Sequence, residues 1–114
     1  MPRRGDRVAA PPRPGAWDIR YADNTAAKRW EQLCRDSPSN ARAAWVALTS
    51  GPRHRSNRQH PLQGSYRTVP LNGTEMDQWQ YEVTRSGRIW YCIDDKKKTV
   101  WLTQVSLGHP KATE

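Results

Sequence analysis

The segment from Arg88 to Ser106 constrains the fold most tightly, because its side chains alternate in character from one residue to the next. A period of two is that of a β-strand and not of a helix. The turn residues at 95–98 divide the segment into two strands, so the sequence predicts an antiparallel hairpin. The residues expected to share one face of the first strand are Ile89, Tyr91 and Ile93, and those expected on its other face are Trp90 and Cys92.

Two helical patterns come earlier in the chain. From Asn24, which is a candidate N-cap, apolar residues recur at spacings of three and four. Ser37-Pro38 is a start signal for a second helix, which is expected to end near Ser50 and Gly51. The tight connection predicts an antiparallel helical hairpin that buries its tryptophans against a sheet. The apolar residues of the two stripes are Ala26, Ala27, Trp30, Leu33 and Cys34, then Ala41, Ala44, Trp45 and Leu48.

The complete order of elements predicts an α+β fold: an N-terminal strand within 16–22, the helical hairpin, and a C-terminal antiparallel β-meander packed on the helices. The meander includes an extra hairpin, with strands at 66–71 and 78–84 around Asn72-Gly73 and a connection longer than two residues. Residues 52–61 are polar and lack periodicity, so they are expected to form a surface loop. Residues 15–114 are predicted to be one domain, and residues 1–14, rich in Pro and Arg, a flexible arm unable to contribute to a core.

The chain of 114 residues carries a net charge of +8, and this excess of cations favours nucleic acid as a partner. No apolar run approaches the ~20 residues of a membrane span, and the N-terminus lacks the apolar stretch of a signal peptide. A cytoplasmic protein is therefore expected. Cys34 and Cys92 have neither metal-ligand spacing nor the density of a disulfide scaffold, and both are predicted to be reduced and buried.

Short motifs between Trp17 and Lys111 resemble those of the RelE/ParE toxin superfamily. In that family an arginine after a hairpin glycine opens a strand, and a residue just beyond the final strand completes the site. The motifs in this chain are Leu62-x-Gly64, Tyr81-Glu82-Val83, Ser86-Gly87-Arg88-Ile89-Trp90-Tyr91, Val100 to Val105 and Gly108-His109.

The resemblance implies a toxin of a type II toxin–antitoxin system that cleaves mRNA, on translating ribosomes, without a metal or another cofactor. In such a reaction the 2′-hydroxyl attacks the adjacent phosphate and leaves a 2′,3′-cyclic phosphate. The enzyme supplies a base, an acid and cations for the charge developing on phosphorus. The resemblance also implies an antitoxin protein encoded by a neighbouring gene.

The same resemblance assigns roles to individual residues. Arg88 matches the phosphate-binding arginine, with a surface ion pair to Glu82 as the alternative interpretation. His109 is expected to transfer protons, assisted by His60. The remaining expected RNA-binding residues are Arg58, Lys111 and Tyr91.

Two features depart from the family pattern and leave other functions open. The C-terminal residues 110–114 contain no Tyr, whereas many ribonuclease members have one there, and the 66–77 hairpin is longer than the usual link. One alternative is the ParE-like branch, which inhibits DNA gyrase. Another is a nucleic-acid-binding module that cleaves nothing.

Overall fold

The computed structural model describes residues 2–8 and 11–108, and within them the protein has an α+β fold with two helices and a mixed six-stranded sheet. A single turn of 3-10 helix, Gly64–Tyr66, lies between the second and third strands. The elements are β1 (Asp18–Tyr21), α1 (Asn24–Asp36), α2 (Pro38–Ser50), β2 (Gln59–Pro61), β3 (Thr68–Leu71), β4 (Thr74–Glu82), β5 (Arg88–Asp94) and β6 (Thr99–Ser106).

The sheet has the strand order β1-β6-β5-β4-β2, and β3 also pairs with β4. β1 runs parallel to β6. All other pairs are antiparallel: β6 with β5, β5 with β4, and β4 with both β2 and β3. β2 and β3 lie on the same edge of β4, because β2 pairs with its C-terminal half and β3 with its N-terminal half. Residues 62–67 therefore bridge a gap in an interrupted edge strand.

One face of the sheet packs against both helices and forms the main core. Burial of these apolar side chains is the dominant stabilising term for a domain of this size. The strands contribute the alternate residues that the period of two predicts. The largest side chains that are fully buried in this core are Tyr21, Tyr91, Leu48, Ile89 and Leu102.

The second helix begins where the sequence predicts, and the first begins one residue earlier than predicted. The cap of α1 is Asp23 and not Asn24, because the Asp23 carboxylate accepts a hydrogen bond of 2.7 Å from the amide of Ala26. Ser37 alone links the helices, and its amide bonds to the carbonyl of Leu33. Pro38 occupies the first position of α2, where a missing N–H costs nothing, although the Ser37 side chain makes no capping bond.

Two expectations about the meander are wrong. Asn72 and Gly73 both have positive φ, of 53° and 77°, and form a two-residue hairpin turn, so β4 begins at Thr74 and not at residue 78. The segment predicted as an unstructured surface loop contains β2, which is too short for its alternation to be visible in the sequence.

The N-terminal segment also differs from the flexible arm that the sequence predicts. The amide of Val8 donates to the carbonyl of Ile19, the amide of Gly5 donates to that of Tyr21, and Val8 is buried in the core. Residues 5–8 thus cover the outer edge of β1 with backbone hydrogen bonds. Proline at other positions of the segment does not prevent this pairing, because the residues that pair retain their N–H groups.

The two cysteines are both free, as predicted, but they differ in exposure. Cys92 is fully buried, and burial raises the pKa of its thiol to about 12. Cys34 is only half-buried, contrary to expectation, although burial and the nearby Glu31 carboxylate raise its pKa too. Trp45 is likewise half-buried rather than enclosed between the layers.

We predict that Trp30→Ala lowers the free energy of unfolding by about 3 to 5 kcal/mol, because the Trp30 ring is buried between α1 and the sheet. Trp45→Ala should cost less, since part of its ring already faces solvent. Urea denaturation of both variants measures the difference. Val46→Ala is the matched control, because Val46 is exposed on α2. A Trp30→Ala variant as stable as this control would contradict the two-layer packing.

Candidate nucleic-acid interface

The sheet face opposite the helices carries a polar and cationic surface. Gln80 pairs with His60 on one side and with Trp90 on the other, and Trp90 pairs with Gln104. Side chains of directly paired residues lie on the same face of a sheet. One row of this surface therefore runs across four strands: His60, Gln80, Trp90 and Gln104.

A second row lies beside the first. Glu82 pairs with Arg88, Arg88 pairs with Ser106, and the Glu82 amide donates to the Arg58 carbonyl at 2.7 Å. The rows are two residues apart on each strand, so their side chains are diagonal neighbours at roughly 7–8 Å between Cα atoms. We call the two rows together the open-face site, and its members are Arg58, His60, Gln80, Glu82, Arg88, Trp90, Gln104 and Ser106.

A buried polar cluster determines which way β2 faces. The Gln59 side-chain amide donates to the carbonyls of Gly51 at 2.9 Å and Pro52 at 3.2 Å, and it lies 3.0 Å from the Tyr91 hydroxyl. The Tyr91 hydroxyl in turn donates to the Pro52 carbonyl at 2.7 Å. Because Gln59 points into the core, its neighbour His60 must point to the open face.

Tyr91 consequently cannot have the RNA-binding role that the sequence suggested. Its side chain is fully buried in the core, and burial raises the pKa of its hydroxyl far above the ordinary value, so the hydroxyl stays protonated and acts as a hydrogen-bond donor. The bulge between Trp90 and Tyr91 leaves the alternation of β5 intact. Trp90 is the aromatic residue of this strand on the open face.

Arg88 is half-buried and already has partners. One terminal nitrogen, Nη1, donates to the carbonyls of Thr84, Arg85 and Gly87 at 2.9 to 3.3 Å. The other, Nη2, lies 3.9 Å from a carboxylate oxygen of Glu82, so the alternative ion pair is present in a loose form. Nη1 fixes the orientation of the guanidinium, while Nε and Nη2 remain as donors for an anion.

The turn before Arg88 leaves little room for a side chain at Gly87. A Cβ there would lie 2.6 Å from the Thr84 hydroxyl oxygen and 3.1 Å from the Ser106 carbonyl oxygen, so a larger residue would have to displace that hydroxyl. The Gly87 amide donates to that same hydroxyl at 2.8 Å. Gly108, two residues after the end of β6, lies against Ser86, which brings the end of the described chain to the turn that holds Arg88.

An aromatic pair lies over the first row of the open-face site. The ring of Tyr66 meets that of Trp90 with a centroid separation of 5.2 Å and a tilt of 58°. The Trp90 indole N–H donates to the Gln80 side chain at 2.9 Å, and the Gln78 side chain donates to the Tyr66 carbonyl at 2.9 Å. The Trp90 ring and the Tyr66 backbone are thus held in place, while Tyr66 is still 56% exposed and its ring remains open to solvent.

Sequence reasoning missed Tyr66 and Glu82 as functional candidates. A large aromatic side chain in a polar Gly-Ser turn was the available signal for Tyr66, because no core lies there to bury it. Glu82 was considered only as a partner of Arg88.

The structure brings together Arg58, His60 and Arg88 among the predicted site residues. Arg58 is exposed and forms no salt bridge with any residue of 2–8 or 11–108. The predicted site residues His109 and Lys111 lie outside the described residues. In the described part of the chain, no group of three His, Cys, Asp or Glu side chains could hold a metal ion.

We predict that Gln59→Leu destabilises the protein by about 1 to 3 kcal/mol, because it leaves buried carbonyl and hydroxyl groups short of a partner. The loss should also loosen β2, so the Glu82 amide, which bonds to Arg58, should exchange its hydrogen faster. Gln32→Leu is the control, because Gln32 is exposed on α1. Unchanged exchange at Glu82 in Gln59→Leu would show that the cluster does not hold β2.

None of the family models, curated proteins or solved structures compared with the chain matches it significantly. In the part of the chain that the structure describes, every helix is too short or too polar to cross a bilayer.

Proposed function

We propose that the protein is a RelE/ParE-type toxin that binds single-stranded mRNA on the open-face site and cleaves it there. The observation that carries the proposal is the alignment of a histidine, a carboxylate and two arginines in adjacent rows of one sheet face, beside an exposed aromatic pair. These are the groups that metal-independent cleavage of RNA needs. The order of strand, helices and antiparallel strands, which the resemblance implies, supports the same proposal.

Binding begins with the bases and the backbone. A base stacks on the exposed ring of the Tyr66–Trp90 pair, an interaction that tolerates different sequences because every base has a flat apolar face. Arg58 and Arg88 contact the flanking phosphates, and the guanidinium of each presents planar donors to the phosphate oxygens. An unpaired base is required, because stacked bases of a duplex cannot reach a side-chain ring on a sheet.

In the proposed cleavage, Glu82 and Arg88 of the second row act together with His60, which lies diagonally across from Glu82 in the first row. When a phosphate binds Arg88, it replaces the Glu82 carboxylate, which lies only loosely against that guanidinium. Glu82 is then free to accept the proton of the attacking 2′-hydroxyl. His60, diagonal to Glu82 across β2 and β4, donates a proton to the departing 5′-oxygen, and Arg88 stabilises the charge on phosphorus. His109, which follows Gly108 in the chain, is proposed to share the proton transfer.

The biological setting is part of the same proposal. An antitoxin encoded by a neighbouring gene would cover the cationic face, and the toxin would act in the cytoplasm on ribosome-bound mRNA. The net charge of +8 suits the RNA backbone, and it would equally suit an antitoxin that covers the face with an acidic segment.

A second candidate is a module that binds RNA without cleaving it. What favours it is the environment of Arg88, where three carbonyls and Glu82 already surround the guanidinium. In that case Arg88 would close the turn before β5, and binding would rest on Arg58 and the aromatic pair.

We predict that Tyr66→Ala and Trp90→Ala each weaken binding of single-stranded RNA about 5- to 100-fold, the range expected when one stacked base loses its aromatic partner. Tyr66→Phe is the matched control, because it keeps the ring and removes only the hydroxyl. Fluorescence anisotropy with a labelled 12-nucleotide RNA measures the affinities. Equal losses for Tyr66→Phe and Tyr66→Ala would exclude stacking as the mode of binding.

Affinity should also fall as salt rises, with a slope of about −0.7 in log units for each phosphate that an arginine neutralises. Arg58→Gln and Arg88→Gln should each reduce that slope. An affinity that does not change between low and physiological salt would contradict binding of the RNA backbone.

We predict that His60→Gln lowers the rate of RNA cleavage by about 10²-fold or more with little change in affinity, because the variant binds but cannot donate a proton. Arg88→Gln should lower the rate about 10²-fold through loss of transition-state stabilisation. His54→Gln is the control, since His54 is an exposed histidine of the preceding loop. The assay is cleavage of free and ribosome-bound mRNA in EDTA, with detection of the 2′,3′-cyclic phosphate.

Two results would overturn the ribonuclease assignment. If the parent protein binds RNA but leaves both substrates uncut, the non-catalytic module takes its place. If it cuts nothing and cells that express it stop DNA replication before translation, the gyrase-directed branch of the family takes its place.

A further inference from the structure

A cavity of about 450 Å³ opens at the outer edge of β4, where β2 has ended and β3 has not begun. The 62–67 turn, which bridges that gap, forms one wall. The other wall comes from the loop before β2, and Trp79 of β4 contributes an apolar side chain. Arginines from both walls face this space: Arg53 and Arg55 from the loop and Arg67 from the turn.

The arginines of the cavity differ in their partners. Arg53 is fixed by Asp95 at 2.6 Å and Asp77 at 3.0 Å, and hydrogen bonding to these carboxylates raises its pKa. Arg55 and Arg67 form no salt bridge with any described residue, and both are exposed. The cavity therefore combines an arginine held by two carboxylates, one of which, Asp77, also lines the space, with two cations whose donors are available to an anion.

The position of the turn connects this cavity with the aromatic pair. Tyr66 and Arg67 are consecutive residues, yet Tyr66 contacts Trp90 on the open face while Arg67 lines the cavity. The turn is held by bonds from Gln78, whose side chain donates to the Tyr66 carbonyl at 2.9 Å and whose amide donates to the Arg67 carbonyl at 2.8 Å. An RNA strand whose base stacks on Tyr66 can therefore continue past that nucleotide into a cationic cavity.

We infer that this cavity is a phosphate-binding subsite, in which Arg55 and Arg67 hold a phosphate of the RNA strand beyond the two that flank the nucleotide stacked on Tyr66 and Trp90. The inference rests on the proposed function for the identity of the strand. The chemistry is that of two guanidinium groups converging on a tetrahedral dianion or a phosphodiester. A free phosphate compound would meet the same groups, so the experiment separates the two sources.

The test compares a trinucleotide, long enough for the open-face site alone, with a 12-nucleotide RNA that also reaches the cavity. In the double variant Arg55→Gln/Arg67→Gln we expect the affinity for the 12-mer to fall about tenfold or more and the slope of log affinity against log salt to shrink by about 0.7 per lost phosphate contact. Affinity for the trinucleotide should be unchanged. The matched control is Arg35→Gln/Arg42→Gln, which removes two exposed charges from the helices.

Inorganic pyrophosphate serves as the probe for a free phosphate ligand. We expect it to compete with the 12-mer more strongly for the parent protein than for the Arg55→Gln/Arg67→Gln variant. Equal 12-mer affinities for the double variant and its control would overturn the inference, even if the trinucleotide binds well. Failure of both RNAs to bind the parent would instead refute the proposed function, and pyrophosphate binding that depends on Arg55 and Arg67 would still support a phosphate site. If the double variant instead loses binding of an acidic peptide while its RNA binding is unchanged, the cavity is a site for a protein partner and the inference is wrong.

Discussion

The hydrogen bonds among Gln59, Tyr91 and the carbonyls of 51–52 are the interaction on which the candidate site depends. A buried amide and a buried hydroxyl are costly unless their hydrogen bonds are made, and here each group satisfies the others. The cluster joins the end of the helical layer to the centre of the sheet and orients β2. Had Gln59 turned outward, the alternation of the strand would have buried His60 and removed it from the open face.

The two faces of the sheet illustrate how one alternating sequence serves two purposes. Ile89 and Tyr91 of β5 enter the core, whereas Arg88 and Trp90 between them lie on the open face. Because the helices cover only one face, the other can carry charges and an exposed aromatic pair without a desolvation cost. Burial stabilises the sheet from one side, and the open side is left for a ligand.

Arg88 must be held in a fixed orientation and yet stay accessible to an anion. Its three bonds to the 84–87 turn fix the guanidinium and reduce the entropy that ligand binding would have to remove. The loose contact with Glu82, at 3.9 Å and partly exposed to solvent, contributes little to stability and is easily exchanged for a phosphate. A tight, buried ion pair at this position would have held the arginine but closed it to an anion.

The sequence by itself determined the α+β class, the two helices with their shared boundary at Ser37-Pro38, and the direction of the side chains in β5, because these follow from local periodicity and from the chemistry of caps and turns. Only the tertiary structure decided the rest. Residues 59–61 form β2 because they pair with the free edge of β4, and Val8 is buried because its segment pairs with the outer edge of β1. Tyr91 cannot bind RNA as the sequence suggested, because its side chain lies on the sheet face that the helices cover, opposite to Trp90. The aromatic pair of Tyr66 and Trp90 joins residues far apart in the chain, and it depends on how the 62–67 turn packs on the sheet, which no local pattern in the sequence specifies.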